Sequence, residues 1–178
     1  MHDLVNKGFK IFGENRVQEA IKKYQALCET KEINLHLIGP LQTNKVKDAL
    51  FLFDTIQSID REKLVDEISK FITNDVSIKT NSFYIQINIG AEAQKSGIDK
   101  SQCSNFYKYA VDRNLNIEGL MCIPPNTRNV NEHFLEMNEI RKQINPNLKL
   151  SMGMSNDYQI ALDHHSNLIR VGSMIFND

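Results

Sequence analysis

The sequence predicts an α/β fold built on a parallel sheet, and three observations carry that prediction. Short apolar runs alternate with amphipathic segments from end to end, the pattern of repeated β–α units. Several runs, such as FYIQINI (Phe83–Ile89) and LIRVGSMIF (Leu168–Phe176), mix apolar and polar positions without a wholly polar face, as expected where both faces are covered. Clusters of Gly, Asn, Ser and Pro follow the apolar runs repeatedly.

In chain order the strands are expected at Phe9–Phe12, Leu35–Gly39, Thr55–Ile59, Phe83–Ile89, Ile117–Ile123, Leu148–Met152 and Leu168–Ile175. Between them, three stripes recur at helical spacing and can pack on a sheet: Val17, Ile21, Tyr24 and Cys28; Leu64, Val65, Ile68, Phe71 and Ile72; Phe134, Met137, Ile140 and Ile144. The polar clusters come after strands, at Gly13-Glu14-Asn15, Gly39 through Asn44, Asn88 through Gly97, Pro124-Pro125, Gly153 through Asp157, and Gly172-Ser173. In an α/β barrel these loops form one end, where ligands bind. A closed barrel needs eight strands and about 200 residues at the least. Seven strands in 178 residues leave room for one more, and an open sheet remains the alternative. The chain opens on what reads as the remainder of a helix, Asp3–Lys7, so the absent element is expected to be the first strand. The strands at Phe9–Phe12 and Leu168–Ile175 would then be exposed edges, which invite pairing with another chain.

Composition narrows the function classes. With 41% hydrophobic and 24% charged residues, the chain has the balance of one globular domain over residues 1–178. A net charge of -1 from scattered charges argues against a nucleic-acid surface, which needs a concentrated basic face. Cys28, Cys103 and Cys122 lack metal-ligand spacing and read as small hydrophobes in a reducing cytoplasm. The N-terminus has no apolar signal region, and no run reaches membrane-spanning length.

The segment LSMGMSNDYQIALDHHSNLIRVGSMIF (Leu150–Phe176) carries the sharpest chemistry. Two strands in succession end in glycine and hydroxyl residues, Gly153-Met154-Ser155 and Gly172-Ser173. Glycine admits close backbone approach, and free N–H groups with a serine hydroxyl suit an anion, so the pair reads as a phosphate cup. Either glycine-serine pair alone is ordinary turn chemistry.

Six blocks taken together, FGENRVQEA (Phe12–Ala20), HLIGPLQTNKV (His36–Val46), IQINIGAEAQKSGI (Ile85–Ile98), IEGLMCIPP (Ile117–Pro125), LSMGMSNDYQIAL (Leu150–Leu162) and IRVGSMIF (Ile169–Phe176), closely resemble the pyridoxal 5'-phosphate homeostasis protein family. The resemblance implies the (β/α)8 TIM-barrel type of the alanine racemase N-terminal domain, here with the first strand missing and seven present. It implies a protein that binds the cofactor pyridoxal 5'-phosphate in vitamin B6 homeostasis without a reaction of its own, with B6-dependent enzymes as acceptors. Ser155, Gly172 and Ser173 match the phosphate-holding positions, Ser173 standing where threonine is more usual. Arg170 matches the arginine facing the pyridine nitrogen; a guanidinium keeps its proton, so it disfavours protonation of that nitrogen and weakens the ring as an electron sink. Asn15 and His36 are expected in the cup, and Asn88 and Met121 along the ring pocket. His164 and His165 read as solvated loop residues.

The family lysine that bonds to the cofactor lies on the first barrel strand, upstream of the block FGENRVQEA, so covalent attachment is expected to be lost from this chain. Lys45 and Lys95 stand on the ligand end but show no feature that would lower a lysine pKa. Two other readings stay open: a racemase-like enzyme on the same barrel, and a degenerate fragment that binds nothing.

Overall fold

The computed structural model describes residues 2–28, 33–74, 77–125 and 129–176. Seven strands form one parallel sheet in sequence order: β1 (Ile11–Glu14), β2 (Asn34–Leu37), β3 (Thr55–Ile59), β4 (Ser82–Ile87), β5 (Ile117–Cys122), β6 (Lys149–Met154) and β7 (Leu168–Arg170). The helices are α1 (His2–Asn6), α2 (Val17–Cys28), α3 (Val46–Leu52), α4 (Glu62–Thr73), α5 (Cys103–Asp112), α6 (Val130–Ile144), α7 (Tyr158–Asp163) and α8 (Ser173–Phe176). Each parallel pair needs a crossover, and helices supply it. Among the described residues, no helix is long and apolar enough to cross a membrane.

The sheet curls into an almost closed barrel. One small cavity of about 290 Å³ is lined from every strand: Ile11, His36, Thr55, Tyr84, Glu118, Lys149 and Leu168 all reach it. That is possible only where the strands surround a common lumen. The ladder runs from β1 to β7 without joining the two ends among the described residues, leaving both as edges.

Alternation along each strand divides its side chains between the lumen and the helices. In β1, Phe12 turns outward to Tyr24 of α2, ring centroids 6.3 Å apart, and Glu14 to Lys23 at 3.2 Å. Ile11 and Gly13 turn the other way, and Ile11 is 54% exposed because it stands at the open edge. The strand β3 is buried at all five positions, covered by the lumen on one side and helices on the other. The helical stripes expected from spacing form the outer core: Val17 and Tyr24 on α2; Leu64, Val65 and Ile68 on α4; Phe134 and Met137 on α6. Cys28 closes α2, its side chain outside the described set.

Four of the expected strands, Leu35–Gly39, Phe83–Ile89, Ile117–Ile123 and Leu148–Met152, shift by one or two residues at their ends, and the first and last need correction. The first lies at Ile11–Glu14 rather than Phe9–Phe12, because Gly8 and Phe9 close α1 with backbone bonds to Val5 and Leu4 and pairing with β2 begins only at Ile11–Asn34. The last stops at Arg170, the partner of Met154 at the end of β6. Beyond it no ladder is available, and Ser173–Phe176 makes a helical turn instead. The helices α3 and α5 carried no stripe distinct enough to mark them. Each follows a short 3-10 turn, Thr43–Lys45 and Lys100–Gln102.

Candidate functional site

A cavity of about 780 Å³ runs along the gap between the β1 and β7 edges, from Ile11 and Leu168 at the start of those strands to Asn15 and Gly172 beyond their C-terminal ends. Its size falls within the usual range for small-molecule sites, about 300–1,000 Å³. The edges supply Ile11, Gly13, Asn15, Leu168, Arg170 and Gly172, and His36 and Gln57 form part of its polar wall.

That wall is a continuous hydrogen-bonded series across five strands. Arg170 on β7 donates from one terminal nitrogen to Ser151 Oγ on β6 at 2.8 Å and from the other to the Cys122 carbonyl of β5 at 2.6 Å. Ser151 Oγ donates to Gln57 Oε1 on β3 at 2.6 Å, and Gln57 Nε2 stands 2.7 Å from His36 Nδ1 on β2. Ser151 is fully buried and Gln57 is 2% exposed. Polar side chains so deep persist because each has a partner. The exception is His36 Nε2, which is buried without one among the described residues.

Burial pushes the His36 pKa down; Asp54 and Glu118 pull it up less strongly, and Lys149 adds to the depression. The ring is therefore neutral at neutral pH. Burial also lowers the Arg170 pKa, against the opposing pull of Cys122 and Asp157, but a guanidinium stays charged. The Cys122 thiol is pushed up to about 12 by burial and is chemically quiet. Below this layer, Thr55 and Ser82 exchange a 2.8 Å hydroxyl bond, and Glu118 pairs with Lys149.

The Gly172–Ser173 turn follows β7, and Ser173 Oγ lies 2.8 Å from Ser155 Oγ after β6. A Cβ built on Gly172 meets nothing within 4 Å, so its backbone borders open space. Gly153 serves a different end. Its φ of +94° and a distance of 2.6 Å from a built Cβ to the Ala161 Cβ let β6 turn tightly against α7. Asp157 then accepts the Met154 N–H at 2.6 Å and fixes the turn that presents Ser155.

Of the residues singled out by sequence, Asn15, His36, Arg170 and Gly172 line the large cavity. Ser155 and Ser173 sit together beside Gly172. Asn88 and Met121 stand outside the lining: Asn88 closes its own loop by bonds to the Glu92 backbone, and Met121 is fully buried in β5. Lys45 pairs with Asp48 at 3.9 Å, and Lys95 reaches the Pro124 carbonyl at 3.3 Å. His164 bonds Asn131 at 2.8 Å. Gln57, Ser151 and the cavity-lining Lys23 were not singled out. The signal for the first two was a polar residue inside an otherwise buried strand, TIQSI and LSMGM. No sequence signal marks Lys23, which enters the wall only because the β1 edge is open.

Comparison with known proteins gives a consistent picture. The model of the family described as "Alanine racemase, N-terminal domain" matches residues 1–178. The chain is 35% identical over 189 residues to a pyridoxal phosphate homeostasis protein of Aquifex aeolicus, covering 100% of this chain and 81% of the relative. It is 38% identical to the protein of the same name from Haemophilus influenzae, covering 95% and 75%. The structure of PipY from Synechococcus elongatus with PLP bound superposes with a TM-score of 0.86 at 29% identity, covering 99% of this chain and 85% of that one. An alanine racemase from Bartonella henselae, at 13% identity and a TM-score of 0.75, shares the fold.

Proposed function

Since this chain belongs to the alanine racemase N-terminal domain family, we propose that its large cavity holds pyridoxal 5'-phosphate and that the protein serves vitamin B6 homeostasis. The observation that carries this reading is the polarity of one cavity: a fixed cation, Arg170, on the wall, and an open glycine edge with paired serine hydroxyls beyond it. The relatives at 35% and 38% identity are named for pyridoxal phosphate homeostasis, and the PipY structure contains the cofactor.

The residues present fit the group. Gly172 borders open space, so its backbone can approach a phosphate closely, and Ser155 and Ser173 add hydroxyl donors there. Charge-assisted hydrogen bonds to a phosphate are each worth about 1.5–3 kcal/mol. Arg170 is tied to Ser151 and to the Cys122 carbonyl, so its plane is set before any ligand arrives. A guanidinium so held disfavours a proton on a ring nitrogen facing it. His36, whose Nε2 has no partner among the described residues, lines the same cavity. When bound, pyridoxal 5'-phosphate brings an aldehyde and an electron-withdrawing ring; the residues of this chain hold the group and suppress the protonation that would activate it. We therefore read its role as retention and delivery in the cytoplasm, with no reaction of its own. B6-dependent enzymes are the proposed acceptors, and the unpaired β1 and β7 edges the proposed route to self-association.

Equilibrium dialysis tests the reading. Saturable retention of pyridoxal 5'-phosphate, weakened by inorganic phosphate and much weaker for pyridoxal, is expected; equal retention of both forms, or none, would sink it.

A further inference from the structure

We propose that Arg170, Ser151 and Gln57 form a one-way hydrogen-bond relay that fixes His36 as its Nε2–H tautomer and so makes His36 a donor to a ring oxygen of the ligand in the large cavity. The ligand half of this statement rests on the reading of the cavity as a pyridoxal 5'-phosphate site; the relay itself does not.

The direction of the relay follows from its anchor. A guanidinium donates and never accepts, so at the 2.8 Å contact Ser151 Oγ is the acceptor. The single hydroxyl proton of Ser151 is then free for Gln57 Oε1 at 2.6 Å. With its oxygen so engaged, Gln57 presents its amide N–H to His36 Nδ1 at 2.7 Å. A ring nitrogen that accepts carries no proton, which places the proton of the neutral imidazole on Nε2. Turning the Gln57 amide over would make both Arg170 and Gln57 donors to Ser151 Oγ. The hydroxyl proton of that fully buried serine would then be stranded.

The result is a donor held ready without an acceptor. His36 is 5% exposed, and its Nε2 is buried with no partner among the described residues. Native structures retain such orphans mainly where something else completes them. His36 and Arg170 line the same cavity, and the relay couples their geometries, so a ring that meets Arg170 on one side meets a neutral donor on another. A neutral donor favours the oxygen substituents carried by a pyridoxal ring, the phenolic oxygen above all, since an ionised oxygen accepts most strongly. Gln57 and Ser151 are positioning residues here, acting through His36 and Arg170.

Nitrogen-15 NMR of the full chain reads the tautomer directly, with His36→Gln identifying the resonance among the five histidines. In the unliganded protein we expect His36 protonated on Nε2 and bare on Nδ1. Adding pyridoxal 5'-phosphate should shift the Nε2–H resonance and slow its exchange with solvent. Gln57→Glu, whose carboxylate only accepts, should move the proton to Nδ1 and weaken binding at least tenfold; Gln57→Met, close in volume, should leave mixed tautomers should the charged variant not fold. A proton on Nδ1 in the unliganded wild type overturns the relay. Saturable ligand binding that leaves Nε2–H unmoved overturns the donor role while the cofactor reading stands. Failure of the wild type to bind the ligand overturns the cofactor reading and the donor role with it, and the unliganded tautomer still decides the relay.

Discussion

Replacing Ser151 by alanine removes the middle of the polar wall and should cost about 2–4 kcal/mol of stability. The estimate comes from what each partner can do afterwards. Gln57 Oε1 loses its 2.6 Å donor at a position 2% exposed, where water cannot substitute, so it incurs the full penalty of a buried orphan, about 1–3 kcal/mol. Arg170 loses its 2.8 Å acceptor but borders the cavity, where water can rehydrate the freed N–H, so its share is nearer 1 kcal/mol. The cavity left by one oxygen atom adds little. Removing both partners of a neutral pair should behave differently. Thr55→Val with Ser82→Ala deletes the 2.8 Å hydroxyl bond and strands neither hydroxyl, and Glu118, which loses the Ser82 hydroxyl, keeps Lys149, so about 1 kcal/mol is expected. Urea unfolding of the wild type, Ser151→Ala and the Thr55/Ser82 double variant compares the three at unchanged m-value. A loss below about 0.5 kcal/mol for Ser151→Ala, or a larger loss for the double variant, would show that the wall is not the connected network described.

Three further outcomes follow from the same geometry. Gly153→Ala forces a Cβ into a +94° backbone and to 2.6 Å from the Ala161 Cβ, and should lower the urea midpoint by the equivalent of about 2 kcal/mol or more; an unchanged midpoint would mean β6 and α7 are not packed as described. His36 has its pKa depressed by burial, so the unfolded chain binds its proton first: the contribution to stability is full above the ordinary value of 6.5 and is lost as pH falls below it, at no more than about 1.4 kcal/mol per pH unit. His36→Gln should flatten that acid limb in pH-dependent unfolding, and an unaltered limb would place the titration elsewhere. Borohydride reduction with pyridoxal 5'-phosphate should mark Lys23 ahead of Lys45 and Lys95, because Lys23 borders the cavity and the other two do not; peptide mapping that finds Lys95 first would contradict the cavity's outline.

The strand count and the helical stripes were legible because burial on two faces and packing on one each leave a period in the sequence. Strand ends were less so. SMIF has the apolar content of a strand, yet it has no ladder partner past Met154–Arg170, and a short apolar run does not reveal which partner it lacks. The glycine and serine turns after β6 and β7 were readable from local chemistry, as was Arg170 from its block. Gln57 and Ser151 were present as polar residues inside buried strands, but their meaning depends on β3 and β6 facing each other across a lumen, 94 residues apart in the chain. Lys23 depends on the open edge, which belongs to the assembled barrel and to no local pattern.

The central claim, that the cavity between β1 and β7 holds pyridoxal 5'-phosphate with its phosphate at Gly172, is tested most directly by calorimetric titration of the wild type and of Gly172→Val. A Cβ at Gly172 meets nothing within 4 Å, so the added side chain projects into the open space the phosphate would use without disturbing the fold. Single-site binding by the wild type and a loss of at least tenfold in the variant, at unchanged thermal stability, is the expected result. Equal affinity in the two proteins, or no saturable binding by the wild type, would contradict the account.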